Sequence, residues 1–237
     1  MQRSTEQLTI DSELLVYKLV RSFKRKRSIS LRILADGGVQ VNSPFGMKLA
    51  TIEAFIISKY SWLRKKRQQK KNQSPLIQPQ YISAEKHLFM GCEYPLQITQ
   101  AKVSSVKLTD NVIHICYRKN ASVKNLLKAW YRQQALEYFV KRTQLFARSN
   151  HLPKIKAIKV RYMKARWGSC SSDAVITYNV HLIKAWPESI DYVVLHELCH
   201  LLHPNHSAAF YRTQSQLNPA WKMQKQQLNK LNINFLS

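Results

Sequence analysis

The sequence predicts an α+β fold, in which an N-terminal antiparallel β-hairpin and sheet region with a helix precedes a larger part that combines a small sheet with several helices. Three observations lead to this prediction. Strand-like runs fill the first 45 residues, apolar residues then recur at helical spacing, and short strands and helices follow one another to the end. The 237 residues suffice for one large domain or two small ones.

The first strands are expected to form an antiparallel sheet. They are the runs LLVYKLV (14–20), SISLRIL (28–34) and VQVNSP (39–44). Gly37 and Gly38 separate the last two runs and suit a tight hairpin turn, because glycine adopts backbone angles that other residues avoid.

A helix is expected to follow from Lys48. Its apolar residues recur at three- and four-residue spacing, at Ile52, Phe55, Ile56, Tyr60 and Leu63. The pattern ends in a charged segment rich in glutamine and proline, residues 64–80, which is typical of a surface connection. This segment predicts a boundary between a first domain, residues 1–75, and a second, residues 76–237.

The second part begins with four more predicted strands and a long helix. The strands are HLFM (87–90), PLQIT (95–99), AKVSSVKL (101–108) and NVIHICY (111–117). The helix spans residues 122–150, and its core-facing stripe is predicted at Leu127, Tyr131, Ala135, Tyr138 and Leu145.

Two further strands and three helices complete the prediction. The strands are KAIKVRYM (156–163) and VITYNVHLI (175–183), with RWGSCSS (166–172) as a turn between them. A helix over residues 187–202 follows, with Pro187 in its first turn. Short helices are expected at residues 207–217 and 221–231.

The chain has an unusually high positive net charge. Thirty-eight Lys and Arg against thirteen Asp and Glu give a formal charge of +25, which attracts polyanions such as nucleic acid. No known nucleic-acid-binding motif accompanies the charge, so a generally basic, solvated surface explains it equally well.

Cysteine usage and hydropathy favour a cytoplasmic protein. The four cysteines include no C-x-x-C pair, which argues against a disulfide framework and a cysteine-based zinc knuckle. No apolar run reaches the roughly 18–20 residues of a membrane span, and the first twenty residues do not resemble a signal peptide.

The stretch HELCHLLHPNH (196–206) is the strongest functional signal. His196 and His200 are one helical turn apart, so their Cβ atoms are expected about 5–6 Å apart and both rings can reach one metal ion. Glu197 between them is too close in sequence to be a comfortable third ligand, but it is well placed to hydrogen-bond a metal-bound water. An apolar stripe lies on the opposite side of the helix, at Ile190, Val194, Leu198 and Leu201.

Two further histidines compete for the third ligand position. If the helix continued, His203 would lie about 7–8 Å along the axis from a metal held by the first pair. Pro204 disfavours helical geometry at the residue before it, so the helix is expected to end near Leu202. The turn that follows can return the chain, which favours His206 as third ligand and leaves His203 to line the site or hydrogen-bond nearby.

The residues around this motif resemble the YgjP-like zinc metallopeptidase family, which is related to SprT-like and WLM metallopeptidases within the zincins. The resemblance covers about residues 15–232, including SISLRIL-ADGGVQVNSP. It is dense from Arg166 to Tyr211, through RWGSCSS, ITYNVHLI and IDYVVLHELCHLLHPNHSAAFY. It implies a zincin-like catalytic part, and it leaves open one continuous domain over residues 15–232 in place of two.

The resemblance also implies the site residues. The H-E-x-x-H of the family falls on His196, Glu197 and His200, and its N-H-S triplet falls on residues 205–207, which supports His206 as third ligand. The resulting hypothesis is a peptidase with one Zn²⁺ per chain, in which Glu197 is the general base for a zinc-activated water and a polypeptide is the substrate.

Two aspects of this hypothesis stay open at the level of sequence. The strand VITYNVHLI (175–183) is the candidate to line the cleft and pair with an extended substrate, with Tyr178, Asn179 and His181 as cleft residues, although ordinary packing explains them better. The alternative function is a nucleic-acid-binding protein with a mainly structural zinc site, or a protease recruited to DNA.

Overall fold

The computed structural model describes residues 1–34, 36–71 and 79–231 of the chain, which forms two compact units, Met1–Leu76 and Ile77–Ser237. Strands and helices are mixed in both units, so the predicted α+β class is confirmed. In the described residues, no helix is both long and apolar enough to cross a membrane. The cytoplasmic location stays a prediction.

The first unit contains a four-stranded sheet in the order β1-β2-β4-β3. Its strands are β1 (Gln2–Ile10), β2 (Glu13–Ser22), β3 (Ser30–Ile33) and β4 (Val39–Pro44). The pair β3–β4 is antiparallel, as expected, and so is β1–β2. The expectation of an antiparallel sheet throughout was wrong for β2 and β4, which run parallel because β3 reverses the chain before β4 begins. The sequence prediction missed β1, whose residues carry alternating polarity but few large apolar side chains.

The β3–β4 hairpin has the glycine turn that the sequence predicts. Gly37 has a φ of +82°, a conformation that side chains with a Cβ rarely adopt, and the peptide groups of Leu34 and Gly38 hydrogen-bond across the turn.

The predicted helix after this sheet is divided at Lys59 into α1 (Leu49–Ser58) and α2 (Tyr60–Lys71). Its apolar face covers the sheet, since Ile52, Ile56, Tyr60 and Leu63 are buried in the same cluster as the strand residues. The amphipathic spacing in the sequence therefore identified the face correctly, with Phe55 at its partly buried margin.

The second unit begins with a sheet in the order β5-β6-β8-β7 and a long helix. The elements are β5 (Lys86–Phe89), β6 (Cys92–Gln100), β7 (Ser105–Thr109), β8 (Val112–Tyr117) and α3 (Val123–Ser149). The strand predicted from residue 101 starts only at Ser105. Along α3 the buried positions continue through Phe139 and Thr143, so Leu145, predicted in the stripe, is exposed.

A third, three-stranded sheet lies before the motif helix, in the order β10-β11-β9. Its strands are β9 (Ala157–Arg161), β10 (Gly168–Cys170) and β11 (Val175–Asn179). The RWGSCSS segment, predicted as a turn, thus contains a short strand that pairs antiparallel with β11.

The second strand of this region is shorter than predicted, because Asn179 ends it. The Asn179 side chain accepts a hydrogen bond from the His181 N–H and donates to the carbonyls of Met163 and Arg166. This cap starts a 3₁₀ helix over Val180–Lys184, where the sequence predicted continued strand.

Three helices complete the unit: α4 (Pro187–Cys199), α5 (Ala208–Leu217) and α6 (Trp221–Lys230). Helix α4 packs against α3, and the two are joined by a bidentate ion pair in which Arg142 Nε lies 2.7 Å from one carboxylate oxygen of Asp191. The ion pair joins the N-terminal half of α4 to α3, while the histidines lie at the other end of α4.

Candidate metal centre

Helix α4 is buried on its apolar side and carries the H-E-x-x-H motif at its C-terminal end. Pro187 occupies the first turn, where its missing N–H has no cost to the helix. Ile190, Val194 and Leu198 are completely buried in the core of the unit. His196 is in the last turn and His200 is the C-cap residue, and both are partly exposed on the other side.

The chain reverses directly after α4. The N–H of His203 donates to the Cys199 carbonyl at 2.9 Å, which closes one further turn before Pro204. Ser207 then caps α5 by accepting a hydrogen bond from the Phe210 N–H. The helix ends near the predicted position, and the reversal places His206 beside the two helix histidines.

The structure brings three predicted ligands together and leaves the fourth histidine apart. His196, His200 and His206 each offer a ring nitrogen, and these atoms lie within 4.8 Å of one another. The Nε2 atoms of His196 and His206 are 3.1 Å apart, close to the roughly 3.3 Å between two ligand atoms of a tetrahedral zinc ion. His203 instead lies 3.0 Å from the Thr213 hydroxyl through its Nε2.

Hydrogen bonds to two other residues orient the helix histidines. His196 Nδ1 lies 3.3 Å from Oε1 of Gln214, and His200 Nδ1 lies 3.0 Å from the His203 carbonyl oxygen. Because both partners are acceptors, we assign the proton of each ring to Nδ1. This tautomer leaves the Nε2 lone pair for a metal, which is the usual arrangement of zinc-bound histidine.

The electrostatics of the site favour neutral imidazoles. Burial, followed by the nearby His200, lowers the pKa of His196 to about 4. Burial also lowers the pKa of His200. Neutral rings are the form that binds a metal, so this donor set fits a zinc ion with three protein ligands.

Phe210 supports all three rings from below. Its side chain is completely buried, and its ring centroid lies 5.0, 4.7 and 4.7 Å from those of His196, His200 and His206. An aromatic floor of this kind limits the rotation of each imidazole and excludes water from that side.

Glu197 lies beside strand β10 and is only 5% exposed. Burial raises the pKa of its carboxyl group to about 8, against a smaller opposing effect of Arg166. A Cβ atom built on Gly168 would lie 2.8 Å from both Cγ and Cδ of Glu197. Glycine at this position therefore allows the carboxylate side chain to pack directly against the strand.

Sequence reasoning missed two of the residues that shape this site. Gln214 and Phe210 are both buried, one turn apart on α5. Their helical spacing was a signal for a buried face, but only the fold shows that the face meets the histidines. Of the suggested cleft residues, Tyr178 is completely buried with its hydroxyl 3.0 Å from that of Thr143, and Asn179 is a buried cap.

A histidine cluster at the end of a helix, with a buried carboxylate beside it, defines a candidate active site of a metal-dependent hydrolase. The particular family follows from comparison with known proteins. The chain belongs to the YgjP-like family, whose metallopeptidase domain model matches residues 27–231, so the family suggested by the sequence is confirmed and the protein is a metallopeptidase. Because the matched range spans both compact units, the division into domains at residue 75 stays a prediction.

Among solved structures, the chain is similar to the crystal structure of the metallopeptidase zymogen of Pyrococcus abyssi abylysin. The two are 18% identical, with a TM-score of 0.36, over 39% of this chain and 92% of that one. No curated protein matches the chain.

Proposed function

We propose that the protein is a zinc-dependent peptidase in which His196, His200 and His206 bind one Zn²⁺ and Glu197 is the general base. The convergence of the three ring nitrogens within 4.8 Å carries this proposal. Three protein ligands leave one position of a tetrahedral zinc ion open, which is typical of catalytic rather than structural sites. The buried carboxylate of Glu197 next to the cluster favours the same conclusion.

The chain supplies proton transfer and positioning. When bound, the zinc ion supplies a Lewis acid that polarises the scissile carbonyl and makes water more acidic. Glu197 accepts a proton from the attacking water on a carboxylate oxygen and delivers it to the nitrogen of the leaving amine. The absence of a Cβ on Gly168 leaves room for the Glu197 side chain against strand β10, which helps to position the carboxylate for these two events.

The sheet topology argues against the expected pairing of the substrate with the segment 175–183. Strand β11, within the segment expected to pair with an extended substrate, is the central strand and is paired on both edges. Strand β10 is the edge strand on the side of Glu197. We propose that a polypeptide adds to β10 instead.

The hydrogen bonds of β10 identify the backbone groups that are available. The Trp167 carbonyl accepts from the Asn179 N–H, and the Ser171 N–H donates to the Val175 carbonyl. In an antiparallel pair successive residues point their peptide groups to opposite edges. Gly168 and Cys170 therefore direct theirs away from β11, toward a substrate strand.

Metal analysis and hydrolysis of labelled casein test the proposal together. Protein purified without a histidine tag should contain about one zinc per chain, and the zinc should be lost in His206→Ala but kept in the matched variant His203→Ala. Glu197→Gln should keep the zinc and lose hydrolysis by at least about 100-fold. Cleavage of casein by Glu197→Gln at the rate of the parent would refute the mechanism. If the zinc site is only structural, either this result or no cleavage by the parent is expected.

A nucleic acid stays a second candidate partner, and one observation in the first unit favours it. Phe23 is 70% exposed and stacks on Phe45, with ring centroids 4.0 Å apart. Arg25 and Lys26 line the same surface depression. An exposed aromatic surface among basic side chains suits single-stranded nucleic acid, because bases stack on the ring while cations neutralise phosphates.

Fluorescence anisotropy with a labelled single-stranded oligonucleotide tests this partner. The parent should bind, and its affinity should fall with added salt. Phe23→Ala should weaken binding by roughly tenfold, whereas Val103→Ala, which removes another exposed apolar side chain, should not. The absence of binding at low salt would eliminate this candidate.

A further inference from the structure

A row of three aromatic rings leads away from the histidine cluster along α5 and α6. Tyr211 stacks on His206, with ring centroids 6.2 Å apart and an angle of 29° between the ring planes. Trp221 stacks on Tyr211 in turn, at 5.5 Å and 21°. Because His206 is one of the proposed zinc ligands, the row begins at the candidate metal centre. The proposed mechanism uses neither Tyr211 nor Trp221.

The outer ring of this row is held in place by its neighbours. The Trp221 Nε1–H donates to the Ser215 hydroxyl at 3.0 Å, and the Trp221 backbone N–H donates to the Asn218 carbonyl at 3.1 Å. Further along α6, Leu228 is buried in the core of the unit. The indole is thus joined to α5 by a hydrogen bond and carried by a helix that is itself anchored.

Two lysines lie against this indole. Lys222 Nζ is 5.8 Å and Lys225 Nζ is 5.7 Å from the centroid of the Trp221 ring. Cation–π contacts of this length restrict the lysine side chains without neutralising their charge. The charge of Lys225 also reaches the histidine cluster, since it adds to the larger effects of burial and the neighbouring histidines that lower the pKa of His196.

The two helices that carry the row contain no carboxylate. No Asp or Glu follows Glu197 in the sequence, so the charged side chains of α5 and α6 are all basic: Arg212, Lys222, Lys225 and Lys230. Within the part of the chain that the structure describes, neither Lys222 nor Lys225 belongs to an ion pair. Both lysines are exposed, so an acidic ligand can reach them.

The exposed part of Tyr211 favours the same kind of ligand. Tyr211 is 38% exposed, and because it stacks on two other rings it offers mainly its edge and its hydroxyl group. The edge of an aromatic ring carries partial positive charge, and a phenolic hydroxyl can donate a hydrogen bond. Both features attract a carboxylate more strongly than they attract an apolar side chain.

The spacing of the row suits an extended polypeptide. A substrate whose scissile carbonyl reaches the proposed zinc ion lies beside His206. Side chains on one side of an extended chain repeat about every 7 Å, close to the 6.2 Å between His206 and Tyr211. We propose that Tyr211, Lys222 and Lys225 form a subsite that selects substrates with an acidic side chain within about two residues of the scissile bond. This inference rests on the proposed peptidase function.

Mapping of cleavage sites tests the preference. Casein is unfolded and partly digested, and peptide mass spectrometry locates the cleaved bonds. The parent should cut bonds that have Asp or Glu within two residues at least about threefold more often than the composition of casein predicts. Combining Lys222→Gln with Lys225→Gln should abolish most of this preference, because an exposed pair of opposite charges contributes roughly 1.4- to 5-fold in affinity. The matched control combines Lys107→Gln with Lys119→Gln, at exposed positions elsewhere, and should keep the preference.

A binding measurement separates the subsite from the peptidase function. Glu197→Gln, which is expected to keep zinc without hydrolysis, is titrated against two fluorescein-labelled ten-residue peptides, one of alternating Glu and Ala and one of alternating Gln and Ala. Fluorescence anisotropy at physiological salt should show about 3- to 10-fold tighter binding of the Glu peptide. Adding the Lys222 and Lys225 substitutions should remove the difference, and adding the control pair should not.

The outcomes distinguish the two proposals. If the parent does not hydrolyse casein but the lysine-dependent difference in binding is present, the peptidase function fails and the acidic-peptide site stands. The acidic-peptide site is overturned if Glu197→Gln binds both peptides equally, or if the variant with both Lys222→Gln and Lys225→Gln keeps the preference for the Glu peptide. Cleavage of casein by the parent without preference for acidic neighbours also overturns it.

Discussion

Replacing Gly168 by alanine tests how closely strand β10 holds the proposed catalytic carboxylate. The added Cβ would lie 2.8 Å from Cγ and Cδ of Glu197, whereas ordinary contacts are 3.4–4 Å. The carboxylate must therefore move by roughly 0.6–1.2 Å, and at 5% exposure it has little solvent to move into. A misplacement of about 1 Å costs on the order of 100-fold in rate, so we expect kcat to fall about 10- to 100-fold.

The assay measures casein hydrolysis, zinc content and thermal unfolding of the same preparations. The zinc should stay bound, because the three nearest atoms to the new methyl group all belong to Glu197. Overpacking should lower the free energy of unfolding by about 1–3 kcal/mol. Gly46→Ala is the matched control, since its Cβ would meet nothing within 4 Å.

Two results would refute this reasoning. Parental kcat in Gly168→Ala would mean that the position of Glu197 against the strand does not matter for catalysis. Loss of zinc with parental stability would mean that β10 positions the metal ligands rather than the carboxylate.

Three other predictions concern the partner of His196, a buried lysine and the ion pair between α3 and α4. Gln214→Leu should weaken zinc binding about 10- to 100-fold, because it removes the hydrogen-bond partner of His196. Zinc affinity is measured by competition with a chromophoric chelator, with Gln216→Leu at an exposed position as control. Equal zinc affinity of the two variants would contradict the prediction. Lys184→Met should raise the free energy of unfolding by at most about 3 kcal/mol at pH 7, because burial lowers the Lys184 pKa from 10.5 to about 8. This stability gain should fade between pH 8 and 10.5, because above pH 8 the folded parent no longer carries the Lys184 proton and above pH 10.5 the unfolded parent loses it too. Urea unfolding measures the stability difference between variant and parent, and a difference that stays constant over this pH range would exclude the prediction. Arg142→Met and Asp191→Asn should show a coupling of about 1 kcal/mol in a double-mutant cycle, and additive effects would show that the ion pair contributes nothing.

The histidine cluster could be predicted because its determinants are close together in the chain. The helical period places His196 and His200 on one face, and Pro204 limits how far the helix continues. In the structure the helix ends where this argument places its end. His203 contacts Thr213, and His206 lies beside the rings of His196 and His200. These features depend on backbone geometry over about three turns, which sequence spacing describes well.

The surroundings of the cluster could not be predicted, because they depend on pairing between distant segments. Gly168–Cys170 has the composition of a turn, and it becomes a strand because its backbone pairs with β11. The predicted strand from Val175 likewise ends at Asn179, because the Asn179 side chain donates hydrogen bonds to the carbonyls of Met163 and Arg166 in another loop. Gln214 could not be connected with His196 before the packing of α5 on α4 was known.

The three proposed ligands differ in how firmly the chain holds them. His196 is oriented by the buried Gln214, and His200 by a backbone carbonyl of the turn that follows its own helix. His206 is exposed, and among the described residues no hydrogen-bond acceptor outside the cluster orients its ring. Its position depends on the Ser207 cap and on stacking against Phe210 and Tyr211, all at the start of α5. A metal bound by all three would therefore tie α5 to the end of α4, so metal binding and the closure of this turn are coupled.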